Sequence, residues 1–265
     1  MRKFKEYLGV TKAELLNADC GIEVEMEVNH WHGRRVAGWS AHHDDSLRGE
    51  SIEMVSQPIK WEDSIHVLDN LHNSIVRNDV EIKNSFRAGV HVHVNMLNKT
   101  LIDVAKLAQT YAILEDTLIN YCGNNRKSNL FCLRFVDAEA AVDKLCLSLK
   151  DGDISYLNTD AIRYSSLNLR ALLVHGTVEF RSLQTPTDLR EINTWVNLIR
   201  RMVEWSNNMD SLQSIIEMFS MNGARDFVKE VVGEELWPIV EKHFDQRDTI
   251  VGMRIAQQIA QYKYM

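Results

Sequence analysis

Proline is scarce, at three residues in 265 (Pro58, Pro186 and Pro238), and no Pro-, Gly- or Ser-rich linker interrupts the chain, so composition marks no domain boundary. One domain over 1–265 is expected, since single α/β or β-rich domains commonly reach roughly 250 residues. No apolar run approaches the ~20 residues of a membrane span, and the opening MRKFKEYLGVTKAELL holds no apolar segment of signal-peptide length. A cytoplasmic protein without membrane contact is the expectation. Basic excess is missing too: the formal net charge of -7 argues against a protein that works through non-specific phosphate contacts. Nucleic acid is therefore not expected as a binding partner, although a modified base stays among the candidate substrates. The cysteines Cys20, Cys122, Cys132 and Cys146 form no Cys-x-x-Cys pair, which argues against a zinc ribbon or a thioredoxin-type site and reads as buried thiols. Absent as well are Gly-x-x-x-x-Gly-Lys, Gly-x-Gly-x-x-Gly and Gly-x-Ser-x-Gly, which removes P-loop and Rossmann nucleotide binding and gives an α/β-hydrolase no support.

What is present is 45% hydrophobic and 25% charged, near the average of globular proteins, so a folded core is expected. Strict alternation marks 21–28, GIEVEMEV, as a strand, with another near 50–56 and a third at 89–96, GVHVHVNM. Ile65, Leu68, Leu71 and Ile75 recur at helical spacing and predict a helix over 61–77, and similar patterns predict helices at 101–121 and 137–149. Two strands at 163–172 and 176–183, parted by a few residues including Gly176, read as a hairpin, which favours antiparallel pairing. Beyond Asp188 the stripe of Ile192, Trp195, Val196, Ile199 and Val203 is helical, and patterns at 211–219, 224–244 and 248–262 continue a helical cap. The fold class expected is α+β, with a core sheet over about 20–185 and a helical part over about 187–265.

Side chains alternate across a strand, so Glu23, Glu25 and Glu27 share one face of the first strand. His91, His93 and Asn95 share a face of the 89–96 strand, as do Thr177, Glu179 and Arg181 on the last one. Tyr164, Ser166, Asn168 and Arg170 are expected on one face of the 163–172 strand. A polar face is ordinary in an antiparallel sheet, and a solvated one carries no function. If these faces form one surface, however, its carboxylates repel unless cations or arginines neutralise them. Hard divalent ions suit several carboxylates with a His, and a guanidinium forks onto phosphate or carboxylate, which together point to phosphoryl chemistry. Segment 29–46, with His30, His32, His42 and His43, is a candidate active-site loop or a solvated one, and its spacing fits no familiar zinc motif.

The strings GIEVEME, DDSLRGESIEMVSQP, AGVHVHVN, RYSSLNLRAL and HGTVEFRSL, in this order over roughly 20–185, resemble the amidoligase family, a branch of the glutamine synthetase and glutamate–cysteine ligase superfamily. The resemblance implies a curved antiparallel sheet like the glutamine synthetase catalytic domain, with ATP and Mg²⁺ or Mn²⁺ on its concave polar face and helices outside. Carried over, Glu23, Glu25, Glu53, His91 and Glu179 match the metal ligands. His93, Arg170 and Arg181 match groups near the nucleotide, and Arg181, Asn168 and Asp45 match catalytic positions. The implied activity joins a small-molecule or peptide carboxylate to an amine through an acyl phosphate. Shorter than glutamine synthetase and without its amino-terminal domain, the chain is not expected to make glutamine. Two rival readings stand beside this one: a metal-dependent hydrolase using His91, His93 and the Glu cluster, whose His-x-His would sit on an early barrel strand, and a non-catalytic binding module on the same fold.

Overall fold

The computed structural model describes residues 2–31, 33, 35–127, 129, 130 and 132–262. His32 therefore lies outside the described residues. Alternation over GIEVEMEV produces strand β1 (Cys20–Asn29), whose Ile22, Val24, Met26 and Val28 are fully buried. It pairs with β3 (Ser51–Ser56) on one side and β5 (Gly89–Asn95) on the other. Outside β3 lies β2 (Trp39–His42), and outside β5 lie β7 (Thr177–Gln184) and then the two-residue β6 (Leu167–Asn168). β4 (Glu81–Ile82) pairs with the end of β1. Every pairing between these strands is antiparallel, and the order runs from β2 to β6 without those two pairing, so the described sheet is open and is not the barrel that a His-x-His hydrolase would use.

Two short helices, α1 (Phe4–Leu8) and α2 (Ala13–Asn17), precede the sheet, and α3 (Ser64–Arg77) follows β3. α4 (Leu101–Cys122) opens on a capping box in which Thr100 and Asp103 satisfy each other's backbone donors. Then come α5 (Glu139–Asp151), α6 (Ala171–Val174), α7 (Ile192–Asn207), α8 (Leu212–Val232), α9 (Trp237–Val240) and α10 (Thr249–Gln261). α4 is buried nearly all round because it lies between the sheet and the C-terminal helices, touching β7, α7, α8 and α10. Three of its polar side chains reach into the C-terminal part: Lys106 Nζ donates to the carbonyl of Met209 at 3.0 Å, Gln109 Nε2 to that of Ala256 at 2.6 Å and Asn120 Nδ2 to that of His243 at 3.2 Å. Gly252 lets α10 seat backbone to backbone on α4, since a Cβ there would stand 1.9 Å from the Ala112 carbonyl oxygen. One hydrophobic cluster runs from β1 through α4 to α10.

The 163–172 strand is corrected to Leu167–Asn168 alone. The Arg170 N–H turns back onto Asn168 Oδ1 at 3.0 Å, which lifts the chain off the sheet into α6. Ser166 consequently points to the helix side, where it donates to the buried Glu115, rather than sharing a face with Asn168. The 224–244 helix also breaks, because Gly233 takes φ 82° and Pro238 stands in the first turn of α9. α1, α2, β2 and β4 were not read from the sequence, being too short to show a period.

Candidate functional site

Register brings the polar face together. Glu23 stands opposite His91, Glu25 opposite Glu53, and Glu179 opposite both His93 and Asn168. Between the pairs Val90–Leu183 and Val92–Phe180 strand β7 carries one extra residue, so Arg181 and Ser182 together face His91. The glutamates and histidines, with Asn168 and Arg181, line a cavity of about 740 Å³.

His91 is buried at its centre, with Nδ1 3.3 Å from both Glu23 Oε2 and Glu179 Oε1 and Nε2 3.5 Å from Glu25 Oε1. His93 Nε2 lies 3.2 Å from Glu23 Oε1 and 3.8 Å from Glu179 Oε1, while its Nδ1 meets Thr177 Oγ1 at 2.9 Å. Arg181 Nη1 donates to Glu179 Oε1, and Asn168 Nδ2 holds the other oxygen at 2.6 Å. Glu25 Oε2 accepts from the Gly89 N–H at 2.9 Å.

Ligand-type atoms converge in two groups, Glu23 with His93 and Glu179, and Glu25 with Asp44 and Glu53, the atoms of each lying within 4.8 Å of one another. Their electrostatics differ. Burial raises the Glu23 carboxyl, but hydrogen bonds from His91 and His93 outweigh it and hold the group well below the usual range. Glu179 is also lowered, because Arg181 and then His93 and His91 overcome its burial. At the second group burial wins: it raises Glu25 against His91 and Arg181, and with Glu23 and Glu25 nearby it pushes Glu53 up to about 7. An oxygen-rich set short of positive charge fits a hard divalent cation, and the imidazole-bearing set fits one too.

The residues expected from sequence divide as follows. Glu23, Glu25, Glu53, His91, His93, Asn168, Arg170, Glu179 and Arg181 all line the cavity. Both histidines stand among the carboxylates: His93 shares a group with Glu23 and Glu179, and His91 lies within 3.5 Å of Glu23, Glu25 and Glu179 and beside Arg181. Asp45 lines the cavity beside Asp44. Asp44 turns to Glu25 and Glu53, while the Asp45 side chain is 98% exposed at the rim and pairs with His43 at 3.0 Å. In an Asp-Asp dipeptide outside a strand no alternation says which acid turns inward. Arg170 stands at the rim, 3.2 Å from Asp160.

Arg126 was missed altogether. It is 1% exposed, lines the cavity from below, and donates through Nε and Nη2 to the carbonyls of Ser182 and Arg181 at 2.8 and 2.7 Å, which pins the β7 bulge. Its segment shows no period in the sequence, and only the odd cost of burying an arginine could have marked it.

A family model described as "putative amidoligase enzyme" matches residues 34–203, well over half of the chain. The match begins after β1, so it takes in Glu53, His91, His93, Glu179 and Arg181 but leaves Glu23 and Glu25 to rest on geometry. No curated protein matches. Among solved structures, a bifunctional glutathione synthetase from Pasteurella multocida is similar at 14% identity and a TM-score of 0.41, over 98% of this chain and 53% of that one. The present chain thus spans about half the length of that enzyme.

Proposed function

This chain belongs to the amidoligase family, and from that premise we propose that it is an ATP- and Mg²⁺- or Mn²⁺-dependent carboxylate–amine ligase on a glutamine synthetase-like catalytic sheet. The observation that carries the reading is the convergence, on one sheet face, of two metal-type ligand sets around the Glu179–Arg181 pair.

Glu23, His93 and Glu179 would hold one ion and Glu25, Asp44 and Glu53 a second. The ions, when bound, supply positive charge to phosphate oxygens during transfer. Arg181 keeps Nε without a hydrogen-bond partner while Glu179 holds Nη1, so a donor is left for a phosphate or carboxylate oxygen. Asn168 spends its amide on Glu179 and positions that carboxylate rather than touching substrate. Arg170, at the rim, serves the nucleotide.

In the first step a substrate carboxylate oxygen attacks the γ-phosphorus, an O–P bond forms, and the bond to the bridging oxygen of ADP breaks. In the second the amine nitrogen attacks the acyl carbon, a C–N bond forms, and inorganic phosphate leaves, with the amine proton passing to a carboxylate of the polar face.

The test is ATP cleavage with Mg²⁺ across a panel of carboxylic acids and amines, read as phosphate and amide. Cleavage that needs both partners, and that Glu179→Ala lowers on the order of 10²-fold or more, is the expected result. Absence of nucleotide binding with either Mg²⁺ or Mn²⁺ would overturn the reading.

A further inference from the structure

A second cavity, of about 640 Å³, adjoins the polar groove at its His93 end, and Glu23, His93, Val174 and His175 line both. Its other walls are aliphatic: Leu8 and Leu15 from the N-terminal helices, Val55 from β3, Leu97 after β5, and Leu173 from α6. A missing side chain leaves room inside this second cavity, next to the Glu23 and His93 that both cavities share. On the polar face of β1 the column runs Gly21, Glu23, Glu25, and a Cβ placed on Gly21 would meet nothing nearer than Ser56 Oγ at 4.0 Å.

We infer that this chamber takes the aliphatic portion of the ligase's acid or amine substrate, whose reacting group then lies beside His93. The inference rests on the ligase reading above and adds the substrate class. A purine base is the competing occupant, and the wall chemistry disfavours it. Asn95 spends Nδ2 on the carbonyls of Leu15 and Ala18 and Oδ1 on the Leu97 N–H. Ser56 accepts from the Ile22 N–H and donates to the Gln57 carbonyl, and Thr177 is taken by His93. Away from Glu23, His93 and His175 at the shared end, a base would find no polar side chain left among the described lining residues to pair its hydrogen-bonding edge, whereas an alkyl group loses nothing. Val174, an apolar residue left 53% exposed at the shared rim, gains cover from such a substrate.

The experiment titrates straight-chain monocarboxylates and n-alkylamines from two to eight carbons into the full chain with Mg-ATP. It follows binding by calorimetry and turnover by phosphate release. Affinity in one of the two series is expected to rise roughly fourfold per methylene until the chamber is filled. Gly21→Leu, which fills the chamber from β1, and Val55→Phe, which fills it from β3, should each flatten that slope; either variant suffices if the other does not fold. The inference is overturned if affinity is independent of chain length, if neither folded variant changes the slope, or if Gly21→Leu instead abolishes adenosine binding with the slope intact. Should wild type bind alkyl ligands with the expected slope yet cleave no ATP with any pair, the ligase reading falls and the aliphatic chamber stands.

Discussion

At the scale of single residues, charge and burial set the behaviour. Glu115 is fully buried on the helix side of the sheet, accepting from the N–H groups of Phe135 and Val136 and from Ser166. Burial outweighs these bonds and pushes its carboxyl from the ordinary 4.5 to about 7. A folded-state value above the unfolded one favours the protonated, folded form. The stability it contributes is complete below about pH 4.5 and is lost as pH rises through about 7, an effect of about 3 kcal/mol. Chemical denaturation from pH 4.5 to 8 should show this loss, and Glu115→Gln should remove that component while costing about 1–3 kcal/mol at low pH for a mismatched buried donor. Residue identity at the site was largely legible in the sequence, because strand alternation put Glu23, Glu25, His91, His93, Glu179 and Arg181 on one face and the pleat kept them there. Which of Asp44 and Asp45 turns to Glu25 and Glu53 was not legible, because it depends on loop direction, which no local pattern encodes.

At the scale of elements, the bulge in β7 matters most. Removing the guanidinium that grips both of its carbonyls, as in Arg126→Met, leaves two buried acceptors unpaired and frees Arg181 to swing. The expected outcome is a fall in kcat with a smaller change in nucleotide binding, measured by single-turnover phosphate release and by calorimetry. Gly89 is tied to the same spot: a Cβ there would lie 2.9 Å from Arg126 Nη2 and 3.4 Å from Glu25 Oε2. Gly89→Ala should therefore weaken Mn²⁺ binding, followed by paramagnetic resonance, without unfolding the chain. Long strands and amphipathic helices were readable because burial repeats at their period. The 163–172 segment misled because its alternation is real over only a few residues before Asn168 captures the Arg170 N–H.

For the whole molecule, the group of Glu25, Asp44 and Glu53 is short of positive charge and carries a cost that a cation would lift. Saturating Mg²⁺ or Mn²⁺ should raise the Tm, by about 2.7 kcal/mol of stability at a hundred times Kd. Glu53→Gln should melt higher than wild type without metal and respond less to it, as read by differential scanning fluorimetry.

The seat of α10 on α4 also decides how the chain can be divided. A fragment ending at residue 187 would keep every described strand, but it would strip the C-terminal partners from Lys106, Gln109 and Asn120 and bare the back of the helix that carries them. Made alone, it should collect in inclusion bodies. Co-expressed with residues 188–262 it should be rescued, because Gly252 lets α10 lie backbone to backbone on α4 at Ala112, which fixes one docking position.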